Sequence, residues 1–243
     1  MTGEVGAGKT FVAKVLASRL GLGCQTLTMG HPLDSAEQAL RAVGKSLGIS
    51  FPPASDKLTL LEGLENHLVR LNRRGRLVAL IFDEAQNLGD EVLEEIRLLW
   101  NLEADGQRLV QIILFGQPEF RDRLKAGRWE PFMQRVVFSH QLGPLTTGET
   151  CAYILHRRRV AKAEGCLLQF TTNSMTAIHL ASRGIPRLIN NTICANALLL
   201  GYTKQKHMVN SSRVAEVVKD MPVSDPRFRP VLSPARNLLA RES

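Results

Sequence analysis

No apolar run in these 243 residues approaches the ~20 that a membrane-spanning helix needs, and the opening residues lack the pattern of a signal peptide. A helical membrane span is therefore not expected. No two of the four cysteines (Cys24, Cys151, Cys166, Cys194) form a C-x-x-C pair, and all four lie far apart. That spacing argues against a cysteine metal site or a disulfide framework and fits a reduced, cytoplasmic compartment. At its helical spacing Cys194 reads as a small core residue. No internal repeat is present, and acidic residues are outnumbered, 23 against 31 basic, for a formal charge of +8. Such a balance permits binding to nucleic acid or an anionic surface without requiring either. An apolar content of 44% over this length suffices for a sizeable core and for one domain or two.

What is present begins at Gly3. The stretch Gly3-Glu4-Val5-Gly6-Ala7-Gly8-Lys9-Thr10 fits G-x-x-x-x-G-K-[ST], the loop that cradles nucleoside triphosphate phosphates. Glycines at 3, 6 and 8 leave no side chain between backbone amides and a phosphate. Lys9 supplies a point charge for the β- and γ-phosphates, and the Thr10 hydroxyl is a Mg²⁺ ligand candidate. The helix expected to start here aims free N–H groups at the anion, so Phe11 joins the candidate nucleotide-binding set. The strand that should lead into the loop is expected to be missing, because Met1 stands two residues before Gly3.

Periodicity predicts a helix over 9–20 (Phe11, Val12, Val15, Leu16 and Leu20 apolar) and a short strand over 25–29. An Asp34-x-x-Glu37 capping box should open a helix to 47, and Asp56 a second helix to about 72, with Leu58, Leu61, Leu64, Leu68 and Leu71 on one face. Between them Phe51-Pro52-Pro53 reads as a connector. Residues 76–82 form a continuous apolar run too short for a helix, which suits a parallel strand buried on both faces. The run ends in Asp83-Glu84, and adjacent carboxylates at a buried strand's tip call for a reason. Mg²⁺ held by Asp83 and a water polarised by Glu84 supply one; capping of the next segment is the alternative. A helix over 90–102, a buried strand over 109–115 and a helix over 118–126 follow. Gln117 falls at a strand tip, where open α/β sheets bind ligands. A basic segment, 128–135, precedes an expected strand at 136–141. Strands alternating with helices predict an α/β fold, a doubly wound parallel sheet with helices on both faces. After Pro144 four helices are expected, over 147–164, 172–183, 186–201 and 211–219. A tail with Pro222, Pro226, Pro230, Pro234 and four arginines reads as a linker or loose end.

This order resembles an AAA+ ATPase, a P-loop NTPase whose α/β core is followed by a small all-helical lid. The wording is closer still to the general secretion pathway protein A (ExeA/GspA) family. The resemblance is carried by Thr2–Thr10, by Asp83-Glu84-Ala85-Gln86, by Phe115-Gly116-Gln117-Pro118-Glu119 and by Gly184-Ile185-Pro186-Arg187-Leu188-Ile189-Asn190. It covers roughly residues 2–220, with domains expected at 1–145 (core), 146–221 (lid) and 222–243 (tail).

The resemblance implies an ATP-hydrolysing module of a secretion or pilus assembly machine that uses ATP and Mg²⁺ and forms a homo-oligomer. Lys9 and Thr10 would bind phosphate and metal, Asp83 the metal, and Glu84 would activate water. Gln117 takes the sensor-1 position and Arg187 the sensor-2 position. Arg135 matches the arginine finger, with Arg128 and Arg123 as alternatives. Family members carry a first, central strand ahead of the phosphate loop, so this chain reads as a fragment. Strands such as 77–82 should then expose an apolar edge, and upstream residues should raise the melting temperature and ATP affinity. Membrane attachment, at the inner face of the inner membrane, would need parts outside this chain. A DNA-binding ATPase of the transposition-helper type shares the core and would use the +8 charge. A nucleotide-binding module without hydrolysis is the third reading.

Overall fold

In the computed structural model, which describes residues 1–21, 23–30, 33–161 and 168–220, the chain divides into two units, Met1–Leu142 and Gly143–Ser243. The first runs β1 (Thr2–Gly3), α1 (Lys9–Arg19), β2 (Cys24–Met29), α2 (Ala36–Ser46), α3 (Lys57–Arg73), β3 (Leu77–Phe82) and α4 (Asp90–Trp100). It continues through β4 (Glu103–Ala104), β5 (Gln107–Arg108), β6 (Val110–Leu114), α5 (Pro118–Lys125), α6 (Glu130–Met133) and β7 (Gln141–Leu142). Strands β2, β3 and β6 form a parallel sheet in that order, with Cys24 opposite Leu77 and Val78 opposite Val110. Strand β1 pairs in parallel with β7, and Thr2 bridges Gly116 just past β6.

The run at 77–82 shows no polar alternation because both faces of β3 are covered. Val78, Leu80 and Phe82 pack into the main core, with Leu40 and Val43 of α2, the leucines of α3 and Leu93 and Ile96 of α4. Ile81 faces the opposite side, where Ala13 of α1 and Phe115 close over it. The main core takes Leu60, Leu64, Leu68 and Leu71 from α3, while Leu58 is 62% exposed, so the apolar stripe runs through Leu60 instead of Leu58. On α1 the buried positions are Lys9 and Ala13, and Phe11 is 72% exposed. Helix α2 is capped one residue later than the sequence suggests. The Ser35 hydroxyl accepts from the Gln38 N–H at 3.2 Å, and Gln38 Oε1 accepts from the Asp34 N–H at 3.1 Å. Phe51 is more than a connector: a Cβ added at Gly44 would stand 2.3 Å from its ring, and one at Gly63 2.6 Å, so both helices are cut away to seat it.

Three expectations about the sheet need correction. The strand leading into the phosphate loop is not missing, since Thr2–Gly3 form β1 and pair with β7. Strand β3 exposes no edge, being paired with β2 on one side and β6 on the other. Of the strand expected at 136–141, only Gln141 pairs, together with Leu142. A strand exists only where a neighbour offers its backbone, and β1 offers two residues. Residues 136–139 therefore join no strand, with Val137 98% exposed, and His140 enters only through its carbonyl, which accepts from the Thr2 N–H at 2.9 Å. Between them and β6 lies a groove of about 560 Å³ lined by Leu16, Ile112, Leu114, Phe120 and Val136 among others.

The second unit comprises α7 (Thr147–Ala161), β8 (Gln169–Phe170), α8 (Thr172–Ser182), a π-helix (Leu188–Cys194), α9 (Ala195–Thr203), β9 (Met208–Val209) and α10 (Ser211–Asp220). Ile154, Met175, Ile178, Ile189, Ile193 and Val214 form its core. The helix expected at 186–201 is thus a π-helix that passes into α9. The only addition to an all-helical plan among the described residues is the two-residue parallel pairing of β8 with β9. The expected tail and the end of the 147–164 helix lie outside the described residues.

Gly184 ties the start of this unit to α8. Its φ is +72°, its carbonyl accepts from the Leu145 N–H at 2.9 Å, and a Cβ there would stand 2.0 Å from Leu145 O. Gly184→Ala is expected to destabilise the protein by about 3 kcal/mol, through backbone strain and collision. Gly148→Ala, with nothing within 4 Å of its added Cβ, should cost far less. Denaturant midpoints of the two variants check this; equal midpoints would contradict it.

Candidate nucleotide site

Strand β1 delivers the chain into the loop between Gly3 and Lys9. It is held hard against β7, where a Cβ on Gly3 would come within 2.9 Å of Leu142 O. Gly6 (φ 86°) and Gly8 (φ 102°) turn the loop through left-handed angles, and the space above Gly8 is open, with nothing within 4 Å of an added Cβ. No side chain caps α1, so its first-turn N–H groups and positive dipole end face an open cradle. Lys9 is 5% exposed. Its ammonium donates to Gly3 O at 2.8 Å and Glu4 O at 3.2 Å, and among the described residues no carboxylate pairs with it. A buried cation beside an uncapped helix start in a glycine loop suits an anion with several oxygens.

The tip of β3 reaches the same place. The Thr10 hydroxyl donates to Asp83 Oδ2 at 2.6 Å, across 73 positions of sequence. Among the described residues no group of three or more His, Cys, Asp or Glu could hold a metal. One carboxylate and one hydroxyl are a partial shell that suits Mg²⁺, which keeps several waters and takes its remaining oxygens from phosphates.

Glu84 sits in the left-handed region (φ 52°, ψ 41°), uncommon outside glycine. Its N–H donates to Asp83 Oδ1 at 2.9 Å. Gln117 occupies the N-cap position of α5, yet its side chain makes no capping bond, so helix capping does not account for it. A residue that sequence reasoning passed over joins the two. Gln86 donates through Nε2 to Glu84 Oε2, and its Oε1 accepts from the Gln117 N–H at 3.1 Å. Its only signal was its place in Asp83-Glu84-Ala85-Gln86.

Arg135 is exposed; its Nη1 donates to Asn101 Oδ1 at 2.9 Å, and its guanidinium lies 5.9 Å from the Trp100 ring centre. Arg123 and Arg128 both pair with Asp90, Arg128 at 2.9 Å. The Arg123 hydrogen bond, with the charge of Arg128 nearby, holds the Asp90 carboxyl below its ordinary range. Arg187 belongs to the second unit, exposed at the start of the π-helix. Phosphate loop, Asp83, Glu84, Gln86 and Gln117 are thus brought together in the first unit, whereas Arg187 is not part of it.

A phosphate loop on a parallel sheet, with acidic and polar strand tips beside it, defines the P-loop NTPase class. The AAA domain family matches residues 1–124, and this chain belongs to that family. General secretion pathway protein A of Aeromonas hydrophila is 33% identical over 210 residues, 86% of this chain and 38% of that protein. The chain therefore spans well under half the length of that relative. Among solved structures, Cdc6p from Pyrobaculum aerophilum matches with a TM-score of 0.68 and 19% identity, over 90% of this chain and 59% of that one. The Aeropyrum pernix ORC2 protein in its ADP form gives 0.67 and 15%, over 90% and 61%. At those identities the likeness speaks for the AAA+ fold alone. No helix among the described residues is long and apolar enough to cross a membrane.

Proposed function

We propose that this chain is an ATP-hydrolysing AAA+ module of a secretion or pilus assembly machine, acting in the cytoplasm as a homo-oligomer. The observation that carries the reading is the 2.6 Å contact of Thr10 with Asp83, which joins the phosphate loop to the acidic strand tip. Lys9 and the loop amides bind the β- and γ-phosphates. Thr10 and Asp83 hold Mg²⁺, which when bound neutralises charge on the phosphate oxygens. Glu84 takes a proton from the attacking water, and Gln117 orients toward the γ-phosphate. Arg187 contacts nucleotide from the second unit, and Arg135 acts on a neighbouring subunit's nucleotide. The secretion role rests on the Aeromonas relative. The test is phosphate release from ATP and Mg²⁺ by the purified chain. Linear release that stops on removal of Mg²⁺ is expected; a folded chain that binds ATP without turnover overturns hydrolysis.

A second reading, a DNA-binding transposition-helper ATPase, is favoured by the +8 charge and by exposed Arg157, Arg158 and Arg159 on α7. It requires DNA binding with a steep salt dependence, falling about tenfold or more between 50 and 200 mM salt. Affinity flat in salt, or absent, removes it.

A further inference from the structure

Glu84, Gln86 and Gln117 form a hydrogen-bonded series between the tips of two adjacent strands. Gln86 lies in a short 3₁₀ turn, Ala85–Asn87, that follows Glu84. Ala85 is fully buried, and its N–H donates to Phe115 O at 2.8 Å, which anchors the turn to the end of β6. The Asn87 N–H donates to Glu84 O at 2.9 Å, and the Glu84 N–H to Asp83 Oδ1. These bonds hold Glu84 in its left-handed backbone, a conformation that a residue with a Cβ rarely adopts.

The Gln86 carboxamide has one orientation that suits both neighbours. A carboxylate accepts only, so Nε2 must face Glu84 Oε2; a backbone N–H donates only, so Oε1 must face Gln117. The amide is planar and rigid, and movement of the Gln117 backbone shifts the group that holds the Glu84 carboxylate. The other Glu84 oxygen has no hydrogen-bond partner among the described residues and is free to accept a proton. Gln117 is the N-cap of α5, and its side chain makes no capping bond.

We propose that Gln86 is a positioning residue: it holds Glu84 in the direction that serves hydrolysis and carries the position of the Gln117 backbone to it. The inference deepens the hydrolysis reading and rests on it for its effect on rate. Gln86 touches Glu84 and the Gln117 backbone, so its removal acts on kcat and spares KM.

Two substitutions separate the halves of the link. Gln86→Leu keeps the size and loses both bonds; kcat should fall about tenfold, as for a base displaced by a fraction of an ångström, with KM within about twofold. Gln86→Glu keeps an acceptor for the Gln117 N–H but loses the donor to Glu84, and should be as slow as Gln86→Leu. Gln86→Leu within twofold of the parent kcat, or Gln86→Glu restoring it, overturns the proposal, as does a change confined to KM. A readout without turnover is amide exchange at Gln117. Glu84→Ala releases Gln86 and should speed exchange there several-fold, while the Phe115 amide, bonded to Phe82 O at 2.8 Å, stays protected. Unchanged exchange at Gln117 overturns the link. A parent chain that turns over no ATP but shows the Gln117 response removes the hydrolysis reading and leaves the link standing.

Discussion

Lys9→Ala is expected to abolish nucleotide binding, whereas Glu84→Gln should retain it and stop turnover. Lys9 is nearly buried, and its ammonium already bonds two loop carbonyls, so the variant loses both a fixed charge and a brace of the loop. Removing one partner of a buried charged contact costs about 2–5 kcal/mol, which takes Kd up by roughly 30-fold to several thousand-fold. Glu84→Gln keeps the shape, and its amide oxygen can still accept from Gln86 Nε2. An amide cannot act as a base, and kcat should fall about 10²–10⁴-fold. Titration with a fluorescent ATP analogue, run beside steady-state turnover, separates the two variants. Equal loss of binding in both would contradict the assigned roles.

Arg135→Ala should leave ATP binding nearly intact and lower turnover of the assembled protein by about 10³-fold or more. Of the three arginines in this stretch, Arg123 and Arg128 are tied to Asp90, and releasing either gives up an ion pair. Arg135 is exposed and held by a neutral amide, Asn101, and a ring, Trp100. Freeing it to reach a neighbouring subunit costs less, because an amide regains its hydrogen bond from water. A mixture of Arg135→Ala with Lys9→Ala subunits should recover part of the activity. In that mixture an intact Arg135 meets an intact phosphate loop. Zero recovery at every ratio, with mixed assemblies confirmed by pull-down, argues against action between subunits. Full activity of Arg135→Ala alone moves the assignment to Arg128.

The phosphate loop was legible because its demands are local. Glycine angles, one lysine and one hydroxyl sit within eight residues, and the fold has only to present them. The run at 77–82 was legible for a related reason: a strand covered on both faces leaves no polar positions. Elsewhere the pattern names one residue and packing chooses another close by. Periodicity places Leu58 on the apolar face of α3, but Leu60 is the residue that is buried. Asp34 reads as the cap of α2, but the Ser35 hydroxyl accepts from the Gln38 N–H, while Gln38 Oε1 accepts from the Asp34 N–H.

By itself, then, the amino-acid sequence determined a P-loop nucleotide site on an alternating α/β core, and a helical unit after it. Tertiary structure alone decided which residues share that site, because its hydrogen bonds join positions far apart in the chain. The Thr10–Asp83 contact spans 73 positions and the Gln117–Gln86 contact 31, and no local pattern encodes either. It also decided that residues 136–139 join no strand despite their strand-like composition. Backbone pairing needs a neighbour at hydrogen-bonding distance, and Thr2–Gly3 reaches no further back than the His140 carbonyl.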